Sequence, residues 1–331
     1  AGCGSSSDRL HIDVTSSGAA KSGIVSEAAS LSLGRLRLGL FQKHEGRYPI
    51  NALRNAALRM ATASHVLVLD VDFVPSVELY DALAAQRLAF QQKNLAAVVP
   101  AFQRKGDSFY SHMSAAEWRD KLSKKTRRDA VVPLTVRSLA ACLARARCVV
   151  FDSTWNPQGH STTDSTAWLL ESVHATTAVL EPALKTLQQR RAPGADPDPA
   201  IRDDDVQAMR PIPCFRSGRF EPYLVVRRDR APAFNESFTG YGKNKIEFVT
   251  HLRYLGFRFA VLPVGFVCHV PHPLSKDKQS WLRTKRADRE SDRLYNDVLA
   301  AMHQRYGVGG GVEENKTGLC DPRRKGRRRR R

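Results

Sequence analysis

The sequence predicts an α/β fold organised around a parallel sheet, and three observations predict it. Val66-Leu67-Val68-Leu69 is an unbroken apolar run of strand length, the pattern of a strand covered on both faces. Helical periodicity flanks it: Leu53, Ala56, Ala57 and Met60 recur at helix spacing before it, and a polar-apolar helical segment follows. A second apolar run, Ala96-Ala97-Val98-Val99-Pro100, then completes a βαβ alternation, for which a parallel sheet is the economical arrangement.

Element by element, residues 1–25 are Gly/Ser-rich and expected to be flexible, and a folded unit is expected over 26–310. Ala28 to Leu40 reads as a short helix and strand. Pro49 opens a helix from Ile50 to about Thr62, since proline suits the first helical turn. The strand 65–70 follows, and Ser76 is placed to cap a helix running to about Gln92. Residues 121–128 form a basic, polar helical stretch, and Ala141 to Phe151 passes from helix to strand, with Cys142 and Cys148 read as core or surface thiols. Residues 189–207 form a Pro-rich, low-complexity insertion, and the acidic run Asp203, Asp204, Asp205 is read as solvated. Order resumes with the strand Tyr223 to Val226. A glycine turn, Gly240-Tyr241-Gly242, opens a helix over about 245–254, and Phe257 to Val270 is a strand pair broken at Pro263. A charged amphipathic helix, Trp281 to Tyr306, closes the unit before a basic tail over 311–331, expected to be disordered.

The sharpest chemical signal is Asp70-Val71-Asp72 at the end of the first strand. In open α/β sheets ligands bind beyond the carboxyl ends of strands, and residues two apart on a strand point to one side. Two carboxylates so placed suit a divalent cation that retains open positions for a diphosphate. The same residues also fit the aspartate-nucleophile pattern of haloacid-dehalogenase-type phosphatases, and an acidic pair can simply close a strand.

Composition narrows the field. With 331 residues and 42% apolar content the chain holds a real core, as one large domain or two small ones. Its net charge is +19, but eight of those charges are Arg323, Arg324, Lys325 and Arg327 to Arg331, and the remaining +11 suits an anionic substrate. The tail lacks the aromatic interleaving of a single-strand binder, so no specific nucleic-acid partner is expected. None of the six cysteines forms a Cys-x-x-Cys pair, which argues against structural zinc and leaves disulfides possible but unassigned. No apolar stretch is long enough to span a bilayer. The chain opens on Ala1 without a signal-like core and is expected to be a fragment or processed form, any membrane anchor lying upstream.

Several spaced motifs then converge. Tyr48-Pro49-Ile50-Asn51-Ala52-Leu53-Arg54-Asn55, the Asp70 to Ser76 strand end, Phe220-Glu221-Pro222-Tyr223, Phe234 to Lys245, Val261-Leu262-Pro263 and His269-Val270-Pro271-His272 stand in an order that resembles the LARGE-like glycosyltransferases of family 49. The match covers about half of the chain. The resemblance implies a GT-A type fold, with a mixed central sheet and helices on both faces. It also implies a Mn²⁺-dependent inverting mechanism, a UDP-sugar donor that is most naturally UDP-glucuronate, a glycan acceptor, and a Golgi-lumenal, type II membrane setting.

Carried onto this sequence, the resemblance makes Asp70, Asp72 and His269 metal ligands, with His272 as the fallback histidine. Asn51, Arg54, Asn55 and Asp70 are donor-binding candidates, an arginine being suited to grip phosphate or carboxylate with two parallel hydrogen bonds. Tyr241 is a platform for an acceptor sugar, with Asn244 and Lys245 offering polar contacts beside it. Many inverting GT-A enzymes put a catalytic carboxylate in the equivalent turn, where this chain has Asn244-Lys245. The base that must activate the acceptor hydroxyl is therefore sought elsewhere, with Glu221 first and Glu247 second. A non-catalytic glycan-binding relative and, further off, a phosphatase using Asp70 are the alternatives. Residues 1–46 are weakly patterned for a complete nucleotide pocket.

Overall fold

The computed structural model describes residues 25–33, 36–43, 48–105, 114, 116–117, 120, 132–175, 208–285, 289–307 and 317–321. The basic stretch 121–128 and the insertion 189–207, with its acidic run, lie outside them. The described chain begins with an antiparallel hairpin, β1 (Val25–Leu33) and β2 (Leu36–Lys43). This corrects the expected helix and strand. Leu31, Leu33, Leu36, Leu38 and Leu40 recur with the two-residue period of a strand.

The main body interleaves α1 (Ile50–Met60), β3 (His65–Leu67), β4 (Phe73–Pro75), α2 (Leu79–Ala85), β5 (Leu95–Val99), β6 (Ala101–Arg104), α3 (Val136–Ala144), β7 (Cys148–Val150) and α4 (Ser165–Ala175). It continues with β8 (Arg210–Ile212), β9 (Cys214–Phe215), β10 (Tyr223–Arg227), α5 (Asn244–Tyr254), β11 (Arg258–Val261), β12 (Val267–His269), α6 (Lys276–Arg283), α7 (Glu290–Tyr306) and β13 (Gly318–Leu319). The order within the first large sheet is β3-β10-β5-β11-β8, and within the second β4-β12-β6-β7.

The sheets are mixed rather than parallel. β10 inserts antiparallel between β3 and β5, which separates the two strands that the βαβ pattern would pair directly. Parallel pairing survives between β5 and β11 and between β6 and β12. Each of these pairs is one chain stretch continued: β5 runs through Pro100 into β6, and β11 runs through Pro263 into β12. Two parallel stretches thus cross from the first sheet to the second, and the core gathers along them. Ala96, Ala97, Val98, Val261, Leu262, Phe266, Val267 and Cys268 are all 0% exposed. Burying a large aliphatic or aromatic side chain contributes about 1.5–3 kcal/mol, so this seam anchors both sheets. Trp168 and Ser172 of α4 strap it by donating to the carbonyls of Leu262 (2.8 Å) and Pro263 (2.6 Å).

β3 is an edge strand, only half-buried, and the reading of 65–70 as a centrally covered strand is corrected accordingly. Its apolar run is partly open because Val66 to Phe73 form one wall of the main cleft. The long helix expected from Ser76 is α2 followed by a single 3₁₀ turn, Ala89–Gln91. Ser76 does not cap it: its Oγ accepts from the Phe266 N–H at 3.2 Å and ties β4 to the core. The closing helix is two helices, α6 and α7. Cys142 and Cys148 form a disulfide, as do Cys214 and Cys320. The second bridge, with the β9–β13 pairing, fixes residues inside the segment expected to be a disordered tail. Among the described residues no helix is long and apolar enough to cross a membrane.

Candidate active site

The chain leaves the first sheet at the end of β3 and enters the second at β4, and Asp70 and Asp72 lie in the crossing. They are not on a continuous strand. A tight turn closes on Phe73 N–H donating to Asp70 C=O at 3.1 Å, and Val71 projects fully into solvent. The two carboxylates therefore face different partners.

Asp70 is held by cations. Arg54 Nη2 of α1 donates to its Oδ1 at 2.8 Å, while Lys245 Nζ (3.0 Å) and the Tyr223 hydroxyl (2.9 Å) donate to Oδ2. Burial pushes the Asp70 carboxyl up, but the charges of Lys245 and Arg54 outweigh it and hold the group well below the usual carboxylate range. Arg54 is itself set by Asn51 Oδ1 (3.1 Å) and Asn244 Oδ1 (2.9 Å), both accepting from Nη1.

Asp72 is held by imidazoles. His272 Nε2 lies 2.8 Å and His269 Nε2 3.3 Å from its Oδ2, and the three side chains converge closely enough that they could hold a metal ion. His269 is delivered by β12, whose register sets it opposite Phe73 of β4, and Val270 N–H donates to Asp72 C=O at 2.7 Å. Burial again pushes Asp72 up, and the hydrogen-bonded imidazoles outweigh it, leaving the carboxyl strongly lowered.

Two details bear on whether this group could hold a cation. His272 Nδ1 faces the Pro273 carbonyl at 2.7 Å, an acceptor only, so Nδ1 carries the proton and Nε2 is left as a lone-pair donor aimed at a carboxylate. Two acceptors 2.8 Å apart require a positive charge between them, supplied by a second proton or by a metal ion. In addition, Asp72 Oδ1 is buried with no hydrogen-bond partner among the described residues. One carboxylate and two imidazoles suit a first-row divalent ion.

The surrounding cleft has a volume of about 1130 Å³, above the usual range for a single small ligand and sufficient for two substrates. Its walls include Arg54, Asp70, Asp72, His269 and His272, together with Tyr241, Asn244, Lys245, Glu221 and Asp152. Gly240 and Gly242 adopt φ of 68° and 106°. At Gly242 a Cβ would stand 2.6 Å from Trp281 Nε1, so glycine is needed for both conformation and space. That contact brings Trp281 of α6 edge-on to Tyr241, with ring centroids 5.1 Å apart.

Several expected roles are relocated by the geometry. Asn51 and Asn55 do not line the cleft. Asn51 donates to Asn235 C=O at 2.8 Å while orienting Arg54, and Asn55 clamps the loop at Phe234 from both sides, so both are buried positioning groups. Asn244 and Lys245 bind Arg54 and Asp70 before they can meet an acceptor. Glu247 also lies outside the cleft, because the helical turn after Lys245 carries it to the buried face of α5. There burial raises its carboxyl to about 7. Glu221 does line the cleft, with Lys245 Nζ 3.8 Å away, and burial raises its carboxyl too.

Residues 26–191 and 206–307 match the model of a family described as "Glycosyl-transferase for dystroglycan", glycosyltransferase family 49. The chain belongs to this family. It is 28% identical over 263 residues to the xylosyl- and glucuronyltransferase LARGE2 of Rattus norvegicus, a stretch covering 78% of this chain and 28% of that protein. It is 27% identical over 280 residues to the glycosyltransferase-like protein gnt14 of Dictyostelium discoideum, covering 82% of this chain and 33% of the relative. The LARGE glycosyltransferase-like protein of Caenorhabditis elegans is 24% identical over 262 residues, covering 79% and 33%. The chain thus spans about a third or less of the length of these curated relatives.

Family membership sets aside the phosphatase alternative, and the geometry agrees: both Asp70 oxygens are engaged by cations and a hydroxyl. Two further residues, Tyr223 buried behind Asp70 and Asp152 in the cleft wall, are given no role by the sequence motifs. Tyr223, in the Glu-Pro-Tyr motif, reaches Asp70 from the start of β10. Asp152 follows the apolar run Val149-Val150-Phe151 at the end of β7, much as Asp70 follows Val66 to Leu69, and that repetition is the signal by which it can be found.

Proposed function

We propose that the chain is a divalent-cation-dependent, inverting glycosyltransferase that moves glucuronate from UDP-glucuronate to a glycan acceptor. The observation that carries this reading is the convergence of His269 and His272 on Asp72 Oδ2, with Asp72 Oδ1 buried and unpartnered among the described residues, in the main cleft of a family 49 chain. Asp72, His269 and His272 are the residues that would hold the cation, Mn²⁺ in this reading. When bound, it supplies Lewis-acid stabilisation of the departing nucleoside diphosphate.

The chain's own residues account for the rest of donor handling. Arg54 and Lys245, both paired with Asp70 at rest and leaving a net positive charge, are cationic groups next to the cation site, and they meet donor phosphate or the uronate carboxylate through charge-assisted hydrogen bonds. Asp70 serves in this reading by fixing their positions rather than as a cation ligand. The glucuronate assignment is supported by the names of the LARGE2 relatives and by the cationic lining that Arg219, Lys245 and Lys278 give the cleft. The two disulfides support an oxidising lumenal compartment, the Golgi here.

The test is a donor screen with Mn²⁺ against xyloside and glucuronide acceptors. UDP-glucuronate turnover, with thermal stabilisation by UDP and Mn²⁺ that Asp72→Ala abolishes, is expected. Equal or better use of another UDP-sugar refutes the donor assignment. Glycan binding without UDP binding would mark the chain as a non-catalytic relative.

A further inference from the structure

We infer that the loop after β7, residues 151–156, is the acceptor-binding element and that Asp152 is the catalytic base, an assignment that rests on the transferase reading above. The loop is anchored beside the cation site from within: the Phe151 ring packs against Phe73 (4.8 Å) and His269 (5.2 Å). Asp152, the next residue, lines the same cleft with its side chain 13% exposed. It holds a left-handed backbone at φ 53°, a conformation that Asp and Asn adopt more readily than other residues with a side chain. That conformation is enforced from both sides. Its N–H donates to Gln103 Oε1 at 2.7 Å, and its C=O accepts from the N–H groups of Trp155 (3.1 Å) and Asn156 (2.8 Å).

Of the described carboxylates that line the cleft, Asp152 is the one left for the acceptor once Asp292 is set aside, its Oδ1 lying 3.4 Å from Lys243 Nζ. Asp70 is bound by Arg54, Lys245 and Tyr223, and Asp72 by the two histidines. Glu221 shares Lys245 with Asp70, which ties it to the donor-side charge network, and its other oxygen accepts from Asn156 Nδ2 at 3.5 Å, so both of its oxygens are engaged. Asp152 has Lys278 Nζ only at 3.9 Å. Burial raises its carboxyl above the usual value, outweighing the opposing charges of Lys278, Lys245, His269 and Arg219, and makes it a stronger base than a solvated aspartate. Three residues on, Trp155 is 48% exposed on the cleft wall, a flat apolar face against which a sugar ring can stack.

In the resulting step the Asp152 carboxylate takes the proton of the acceptor hydroxyl as that oxygen bonds to the anomeric carbon. The bond from the anomeric carbon to the UDP oxygen breaks and its electron pair leaves with UDP. The proton on Asp152 then passes to solvent.

The test compares Asp152→Asn, Glu221→Gln and Trp155→Ala in the full chain. Asparagine tolerates the left-handed conformation, so Asp152→Asn should fold, with a melting temperature near that of the parent. Expected for Asp152→Asn is a fall in transfer kcat of about 10²–10⁴-fold, with the stabilisation by UDP and Mn²⁺ unchanged. Trp155→Ala should raise the acceptor KM and leave the donor KM alone. Transfer within a few-fold of the parent in Asp152→Asn, or loss of transfer in Glu221→Gln with Asp152→Asn active, overturns the assignment while leaving the transferase reading intact. A parent chain that neither binds UDP nor transfers any sugar overturns both.

Discussion

Arg54 Nη2 stands 2.8 Å from Asp70 Oδ1, and the same guanidinium reaches Asn51 and Asn244 through Nη1, so one side chain of α1 joins the end of β3 to the start of α5. The side chain is 8% exposed and Asp70 30%. Arg54→Ala leaves Asp70 with Lys245 and the Tyr223 hydroxyl, both on Oδ2, and two amide oxygens without their donor. A loss of about 1–3 kcal/mol is expected, below the cost of breaking a fully buried pair because Asp70 retains one cation and some solvent. Arg54→Lys should recover little of it, since a single ammonium cannot span three acceptors. Urea denaturation of the parent and both variants measures this, and a lysine variant as stable as the parent would contradict it.

The paired imidazoles on Asp72 lead to a second expectation. His272 is oriented by its own Nδ1 contact to Pro273 C=O, and His269 by the strand pairing of β12 with β4, so each presents Nε2 independently. Removing either should weaken Mn²⁺ by more than the roughly 10–100-fold that loss of an outer-shell partner costs. Isothermal titration of Mn²⁺ in the presence of UDP on His269→Ala and His272→Ala checks it. Unchanged affinity in His272→Ala would make the second histidine a mere hydrogen-bond partner of Asp72.

How far the site was legible follows from the kind of information each residue carries. Asp70, Asp72, Arg54, His269 and the Gly240-Tyr241-Gly242 turn stand within short local motifs, and local order is what a sequence displays. What was not legible depended on long-range pairing. The insertion of β10 between β3 and β5 joins residues more than a hundred positions apart, and it turned an apparently central strand into a cleft-lining edge. The same insertion brings Tyr223 to Asp70. Helix phase decided the fate of Glu247: two residues beyond Lys245 lies the opposite side of α5, so a carboxylate near the motif in sequence is remote from it in space. The disulfides were unassignable for a like reason, as six cysteines admit many pairings.

Glu247 supplies a pH prediction. Its side chain is 3% exposed, Oε2 has no partner among the described residues, and burial raises the carboxyl from 4.5 to about 7. The folded state therefore binds a proton that the unfolded state has released between those values. Stability from this group is fully present below pH 4.5 and is lost as pH rises through 7. Each tenfold difference in proton affinity between the two states corresponds to about 1.4 kcal/mol, so the loss is on the order of 3 kcal/mol in all. Glu247→Gln keeps the neutral form at every pH. It should match the parent near pH 4 and exceed its stability at pH 8, as read from denaturant midpoints. A parent and variant that track each other across that range would show the carboxyl is ionised in place.

The bridge between Cys214 and Cys320 closes a loop with a sequence separation of 106, against 6 for Cys142 and Cys148. On the chain-entropy relation the long loop is worth about 5 kcal/mol and the short one about 2 kcal/mol, since each cross-link restricts the unfolded chain in proportion to the logarithm of loop length. The long bridge also holds β13 on β9, next to the point where Arg253 Nε of α5 donates to Thr317 C=O at 3.0 Å. Cys214→Ser should therefore lower the melting temperature more than Cys142→Ser does. It should also speed amide exchange along α5, the helix that carries Asn244 and Lys245 into the cleft. Hydrogen exchange on the two variants separates the effects: a general loss of protection in both reports unfolded-state entropy alone, whereas faster exchange confined to α5 in Cys214→Ser ties the C-terminal bridge to the donor side of the site.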